Sequence, residues 1–337
     1  MVESINTQER RLAFVIPAFK GRFLRYTLES LAEQTYQDFG VYIGDDASPD
    51  DLKRIVSPYQ DRMNLHYQRF DYNLGSKSLA KHWERCVGLS SEPFFCLLGD
   101  DDLLDRNCVA DLHIALKESN EKYDVYRFNN AVIDDRGELI AYGASSTHIE
   151  SHKAFLYSRL QHRRISFMSS YVIHRRAYIR ERGFVDFPLA WFSDDASIIT
   201  FSRLTGICNI VGQPVYWRLS GENISSVNKN NYKKKIDASV RYLKWLVDRF
   251  GWAAIVEDSL HSKEMRMLIE RWFFRHLDYA GCYPLGILKL LSISAAISPY
   301  CKSNMVNLFL KLNSHIRRKS RLARGAGILS ELSKDSK

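Results

Sequence analysis

The sequence predicts an α/β fold: a mainly parallel sheet flanked by helices, with a helical C-terminal extension. Three observations carry this reading. Short apolar runs alternate with amphipathic stretches through the first 135 residues. Polar, often acidic clusters follow several of those runs directly. Beyond residue 232 the strand signals cease and the chain turns helical and basic. The 337 residues suffice for one large domain with an appendage, and 45% hydrophobic and 12% aromatic content excludes a disordered chain.

"LAFVIP" (12–17) is an apolar run ended by Pro17, a buried strand. In "FLRYTLESLAEQTY" the residues Leu24, Leu28 and Leu31 fall at helical spacing. "FGVYIG" (39–44) is a second strand, and "DDLKRIVSPY" a short helix whose acidic start suits the helix dipole. "NLHYQRF" is a third strand, "SLAKHWERCVGL" a helix, "PFFCLLG" a fourth strand, "VADLHIALKESN" a helix and "YDVYRFN" a fifth strand. From about 140 to 225 the pattern is less regular. "RISFMSSYVIH" and "NIVGQPVYWRLSG" read as strands, and "DDASIITFSRLTG" as a helix started by Asp and stopped by Gly206. Three long helical stretches follow, in "YKKKIDASVRYLKWLVDRF", "HSKEMRMLIERWFFRHLDYA" and 284–316, before an end expected to fray. The organisation is thus 1–225, with a first half at 10–135 and a second at 136–225, and a basic helical region at 226–337.

The net charge of +9 suits an anionic partner, whether nucleic acid, a membrane surface or a phosphorylated substrate. Acid-lined strand ends and the lack of any nucleic-acid-binding motif argue against nucleic acid. Six scattered cysteines without a C-x-x-C pair read as reduced core thiols. The N-terminus has no apolar signal region, and "PLGILKLLSISAAISPY" is short for a span and contains Lys289. These features imply a cytoplasmic protein, with basic amphipathic helices suited to an anionic membrane surface.

Ligands of such sheets bind beyond the carboxyl ends of the strands. "PAFKGR", "DDASPD" and "DDDLLD" all follow strands, so topology puts them on one edge. Asp100, Asp101 and Asp102 repel one another unless a cation neutralises them. Mg²⁺ and Mn²⁺ bridge one or two carboxylates to substrate phosphates, and a metal there stabilises charge on a departing diphosphate.

Four stretches together resemble the family 2 glycosyltransferases of the GT-A fold over roughly residues 11 to 225. They are "FVIPAFKGRFLRYTLESLAEQTYQDFGVYIGDDASPDD", "NLGSKSLAKHWERCVG", "GDDDLL" and "FSDDASII". The resemblance implies transfer of a sugar from a nucleotide-diphosphate sugar to an acceptor hydroxyl, with a divalent metal, Mn²⁺ or Mg²⁺. It implies Asp101 as direct metal ligand, Asp102 next, and Asp100 at the metal, its water or the ribose. Gly99 stands where the family's Asp-x-Asp-Asp has its first Asp. Asp45 and Asp46 are carried over as base or ribose contacts, beside Pro17, Ala18 and Phe19. Asn73 and Gly75 form a turn entering a helix, with Lys77 and Lys81 in reach of phosphate. Asp195, with Asp194 as runner-up, matches the base that takes the acceptor proton in an inverting transfer. Arg218 at a strand end is placed to hold the departing diphosphate, and the loop with Ser220, Gly221 and Asn223 to close over the donor.

The absence of Q-x-x-R-W, the signature of processive synthases of this superfamily, implies one sugar per encounter. Lipid-linked or surface-polysaccharide precursors are the implied acceptors, and the protein is expected on the inner membrane face. A nucleotidyltransferase of similar layout and an inactive glycan-binding scaffold are the alternatives.

Overall fold

β1 (Leu12–Ala18) is apolar along its length and buried on both faces, as a central parallel strand must be. The computed structural model describes residues 10–144, 147–223, 231–255, 262–280 and 285–332. They fall into two units. One holds Met1–Arg159, Arg163–Asp186 and Ser193–Ile224, the other Leu160–His162, Phe187–Phe192 and Ser225–Lys337. The second unit thus takes two short stretches that precede residue 225.

In the first unit α1 (Leu24–Ala32), β2 (Gly40–Asp45), α2 (Leu52–Val56), β3 (Leu65–Arg69), α3 (Leu79–Val87) and β4 (Phe94–Leu97) follow β1. Next come β5 (Leu103–Leu104), α4 (Cys108–Glu118), β6 (Val125–Ile133), β7 (Leu139–Tyr142), β8 (Ile149–Glu150) and α5 (His152–Leu160). β9 (Tyr171–His174), α6 (Arg175–Arg180), α7 (Ser193–Phe201) and β10 (Ile207–Arg218) complete it. The strand order is β3-β2-β1-β4-β9-β6-β10-β5, with β7 beside β6 and β8 beside β10. β3, β2, β1 and β4 are parallel, as expected from the alternating pattern.

In the other half of the sheet β6 and β10 are parallel, as expected, and antiparallel strands join them. β9 inserts antiparallel between β4 and β6, so the fourth and fifth predicted strands are not neighbours. Of "RISFMSSYVIH", only Tyr171–His174 is strand, and a single 3₁₀ turn (Met168–Ser170) precedes it. The short β5 pairs antiparallel with β10 and draws the acidic turn against that strand.

Side chains alternate across the sheet. Phe14, Ile16, Val41, Ile43 and Phe94 pack with Leu24, Leu28 and Leu31 of α1 and Val109, Leu112 and Leu116 of α4. On the other face Phe95 meets Tyr178 and Phe184, and Trp83 of α3 meets Phe184. Phe184 therefore joins this aromatic core.

The second unit contains α8 (Tyr232–Ile255), α9 (Ser262–Ala280), α10 (Ile287–Ile297) and α11 (Met305–Leu332). Phe192 stacks on Tyr242 at 4.8 Å and packs against Trp272 and His276. The end expected to fray is helical through Leu332. Leu308, Leu312 and Ile316 are buried at four-residue spacing and seat its first half. Among the described residues no helix is long and apolar enough to cross a membrane. Cys86, Cys96, Cys108, Cys208 and Cys301 are buried free thiols, as expected, and Cys282 lies outside the described residues.

Candidate active site

Three predicted clusters converge at the carboxyl edge of β1, β2 and β4. Asp100 Oδ2 accepts from the backbone N–H groups of Phe19 and Lys20, each at 2.8 Å, which ties the acidic turn to the end of β1. Ser48 Oγ donates to the Phe19 carbonyl at 2.6 Å, and the Asp46 N–H to the Ala18 carbonyl. The end of β1 is thus gripped from both sides.

Asp102 is 2% exposed and accepts at both oxygens, from the Arg218 N–H (Oδ1, 3.2 Å) and from the Ser169 hydroxyl (Oδ2). Among the described residues, the hydrogen bond to the Asp101 carboxylate comes from the Asn223 amide, at 3.3 Å on Oδ2. Among the described residues no Lys, Arg or His forms an ion pair with any of the three. Burial first, then the charges of Asp102 and Asp100, push the Asp101 carboxyl up to about 8. Burial likewise pushes Asp102 up to about 6, against the Ser169 and Arg218 hydrogen bonds, and raises Asp100.

Gly99 has a steric explanation. A Cβ there would lie 2.8 Å from Asp102 Oδ2 and 3.1 Å from Asp101 Oδ1. The turn folds over its own first residue and leaves no room for another side chain.

Buried carboxylates without cationic partners are costly, and a divalent cation is the fitting neutraliser. Among the described residues no three His, Cys, Asp or Glu side chains form a complete cage. The set therefore suits an ion held by one or two carboxylates and otherwise by phosphate and water. Asp101 is the carboxylate with most free acceptor capacity.

Arg218 was expected to face a diphosphate. It is 3% exposed, and its Nε donates to the Asp101 carbonyl and its Nη1 to the Asp134 carbonyl, both at 3.0 Å. Its guanidinium lies 4.6 Å over the Phe23 ring. Here it braces the backbone of the acidic turn.

Asp45 and Asp46 lie on the predicted edge with their carboxylates turned inward. Asp45 accepts from Tyr67 Oη (2.5 Å), Arg69 Nη1 (2.7 Å) and the Ser48 N–H (2.8 Å). Asp46 pairs with Arg85 and accepts the N–H groups of Leu74 (2.7 Å) and Gly75 (2.8 Å). A Cβ on Gly75 would come within 2.5 Å of Asp46 Oδ2, so this clamp requires glycine. Asn73 Oδ1 accepts the Ser76 N–H and shapes the same turn. Lys77 is exposed, and Lys81 pairs with Glu84 at 2.7 Å. What stays open at the strand ends is Phe19, 37% exposed, with the half-buried Pro17 beside it, while Ala18 is buried.

The second acidic pair opens α7. Asp195 is 2% exposed, and Arg159 Nε donates to both its oxygens, at 2.8 and 2.9 Å. Burial opposes the Arg159 charge, but Asp195 and then Asp194 raise its pKa. Asp194 is half-buried, and burial followed by the Asp195 charge pushes it up to about 7.

Arg159 also donates from Nη1 to the Arg164 carbonyl at 2.5 Å. Between Arg164 and Ser169 lies Phe167, stacked on Trp217 at 4.4 Å with 6° between the rings. A short segment thus runs from the arginine that holds Asp195 to the serine that holds Asp102. Sequence reasoning missed Arg159, Ser169 and the Phe167–Trp217 pair. The available signal was indirect: a buried carboxylate needs a partner.

Sequence comparison gives the family of this protein. Its sequence matches the model described as glycosyl transferase family 2 over residues 13–181, half of the chain, and it belongs to that family. A curated relative is the GalNAc(5)-diNAcBac-PP-undecaprenol beta-1,3-glucosyltransferase of Campylobacter jejuni, 26% identical over 133 residues. That match covers 38% of this chain and 40% of the relative. Residues 1–349 of TarS from S. aureus, crystallised with UDP-GlcNAc, share the fold at a TM-score of 0.65 and 15% identity, covering 94% of this chain and 92% of that one. Against the crystal structure of S. aureus TarS with 48% of that chain covered, the TM-score is 0.58 at 15% identity over 86% of this chain.

Asp101, Asp102 and Asp194 hold protons to higher pH in the folded chain than in the unfolded one. The metal-free protein is therefore expected to lose stability as pH rises from about 4 to about 8. Asp101→Asn is expected to raise the melting temperature at pH 8 without metal, by roughly 2–4 °C. An unchanged or lower melting temperature would show that the carboxylate is not under electrostatic strain.

Proposed function

We propose that this glycosyltransferase moves one sugar per encounter from a nucleoside-diphosphate sugar to a hydroxyl of a lipid-linked or surface-polysaccharide precursor, with inversion and with Mn²⁺ or Mg²⁺. The carrying observation is the acidic turn, anchored at Asp100 and Asp102 and held at Asp101 by the Asn223 amide, with no ion pair to Lys, Arg or His among the described residues. The acceptor class is supported by the curated relative, whose name gives an undecaprenol-linked saccharide. Single transfer is supported by the absence of a Q-x-x-R-W signature.

In this reading Asp101, with Asp102 beside it, holds the metal, which supplies charge stabilisation to the departing diphosphate. Asp100 and Arg218 act as positioning residues for the turn. Phe19 and the backbone of Pro17 and Ala18 receive the nucleoside. Asp46 holds the turn of Asn73 and Gly75, and Asp45 fixes Ser48 and Arg69 beside it. Lys77 and Lys81 stand at the start of α3 in reach of phosphate.

Asp195, fixed by Arg159, accepts the proton of the acceptor hydroxyl as it attacks the anomeric carbon. The sugar–phosphate bond breaks as the new glycosidic bond forms. Proton transfer of this kind contributes roughly 10²–10⁴-fold. Asp194 gains its charge near pH 7, so it tunes the negative field at the base.

The reaction is tested by incubating purified protein with UDP-, GDP-, dTDP- and CDP-sugars and Mn²⁺ or Mg²⁺ and following nucleotide release. One donor is expected to be consumed, with loss of turnover in Asp101→Asn and a normal fold. If no donor is turned over and no free nucleoside diphosphate binds with Mn²⁺, the scaffold reading replaces this one.

Turnover is also expected to rise with pH through about 7. Asp195→Asn should lower it by at least about 10², whereas Asp194→Asn should retain turnover and flatten that rise. Near-normal rates in both variants would remove the base from this pair.

A further inference from the structure

The second unit carries a cleft lined by none of the residues assigned above to glycosyl transfer. It has a volume of 930 Å³ and lies between α9 and α11. Met267, Glu270, Arg271 and Phe274 are spaced as one face of α9, and Leu310, Lys311, Ser314, His315 and Arg318 as one face of α11. Lys302, just before α11, also lines it.

The charges in the cleft are unequal. Glu270 is satisfied internally: it accepts from the Ser303 N–H and hydroxyl, both at 3.0 Å, and pairs with Lys311 at 2.5 Å. His315 bonds Asp278 at 2.9 Å. Arg271, Lys302 and Arg318 have no ion pair among the described residues. Four cations (Arg271, Lys302, Lys311, Arg318) against one carboxylate leave three positive charges in a groove walled by Met267, Phe274 and Leu310.

A second feature lies on α10 and the start of α11. Ile287, Leu288 and Leu291 are 63, 84 and 38% exposed, and Met305, Val306 and Leu310 are 42, 60 and 57% exposed. Large apolar side chains kept in solvent on successive helices mark an interaction surface. Apolar exposure joined to unpaired basic charge matches an anionic lipid surface, where acyl chains and phosphates occur together. A protein partner with an acidic patch would satisfy the cations but has no evident reason to meet so much aliphatic surface.

We propose that the α9–α11 cleft is a binding site for the phosphate headgroup of an anionic phospholipid, and that the apolar faces of α10 and α11 enter the same leaflet. This deepens the proposed function, since it brings the protein to the surface that carries a lipid-linked acceptor.

The test is co-flotation of the full chain with vesicles of phosphatidylcholine alone and of phosphatidylcholine with about one third phosphatidylglycerol. Binding is expected only to the anionic vesicles. The triple variant Arg271→Gln, Lys302→Gln, Arg318→Gln should weaken it on the order of a hundredfold, from the usual gain per basic residue at an anionic surface. A control variant removes equal charge from exposed positions of α8: Lys233→Gln, Lys234→Gln, Lys244→Gln. It should weaken binding far less.

Equal weakening by the two variants overturns the cleft in favour of diffuse charge. Failure to float with anionic vesicles overturns the proposal altogether. Inorganic phosphate at millimolar concentration should compete only weakly; full displacement would make the cleft a site for free phosphate instead. Donor hydrolysis by the cleft variant should match wild type. Absence of donor turnover in the wild-type protein would count against glycosyl transfer as proposed and leave the vesicle result standing.

Discussion

The structure of the first unit is organised around an acidic turn, with Asp101 and Asp102 buried and Asp100 half-buried, that no Lys, Arg or His among the described residues pairs with. A folded protein usually pairs such groups or protonates them. Here neutral dipoles from four separate elements hold the turn: backbone N–H groups after β1, the Ser169 hydroxyl before β9, the Arg218 N–H at the end of β10 and the Asn223 amide. Dipoles orient a carboxylate without cancelling its charge. Burial makes Asp101 and Asp102 hold protons to higher pH than usual, and on the proposed reading a bound cation would displace them. Arg218 fits the same logic, since its guanidinium is aimed at backbone carbonyls and not at a carboxylate of the turn.

The two acidic clusters use opposite solutions. At α7, one carboxylate is given a dedicated cation, Arg159, while its neighbour is left to titrate near neutrality. At the triplet, no cationic side chain among the described residues pairs with a carboxylate. On the proposed reading the first arrangement would keep a base oriented and the second would leave room for a metal. The Arg164–Ser169 segment ties both arrangements to one short piece of backbone, so their spacing is a property of local structure.

How much could be read in the sequence followed the range of the interactions. The runs at 12–17, 39–44 and 93–99 are apolar without interruption, so β1, β2 and β4 were legible, and so was the acidic edge behind them. β9 was only partly so, because a four-residue strand carries no information about which strands it will separate. The inward turn of Asp45 and Asp46 depends on Arg69 and Arg85, which reach them from β3 and α3. Nothing local distinguishes such a carboxylate from one facing a ligand. Asp195 could be singled out from its position ahead of a helix, but Arg159, thirty-six residues earlier, could not. Gly99 illustrates the reverse: a departure from the family motif became intelligible once the space above it was seen to be filled by Asp101 and Asp102.

Asp102 depends on partners placed far along the chain, Ser169 sixty-seven and Arg218 one hundred and sixteen positions later. During synthesis the acidic turn emerges long before either of them. A nascent chain that has made β1 to β4 therefore owns the three carboxylates without the framework that presses them together. Until β10 is in place they can spread into water and behave as an ordinary acidic loop. The buried, hydrogen-bonded setting of Asp102 thus arrives late in translation, and a chain interrupted before that point carries the motif without it.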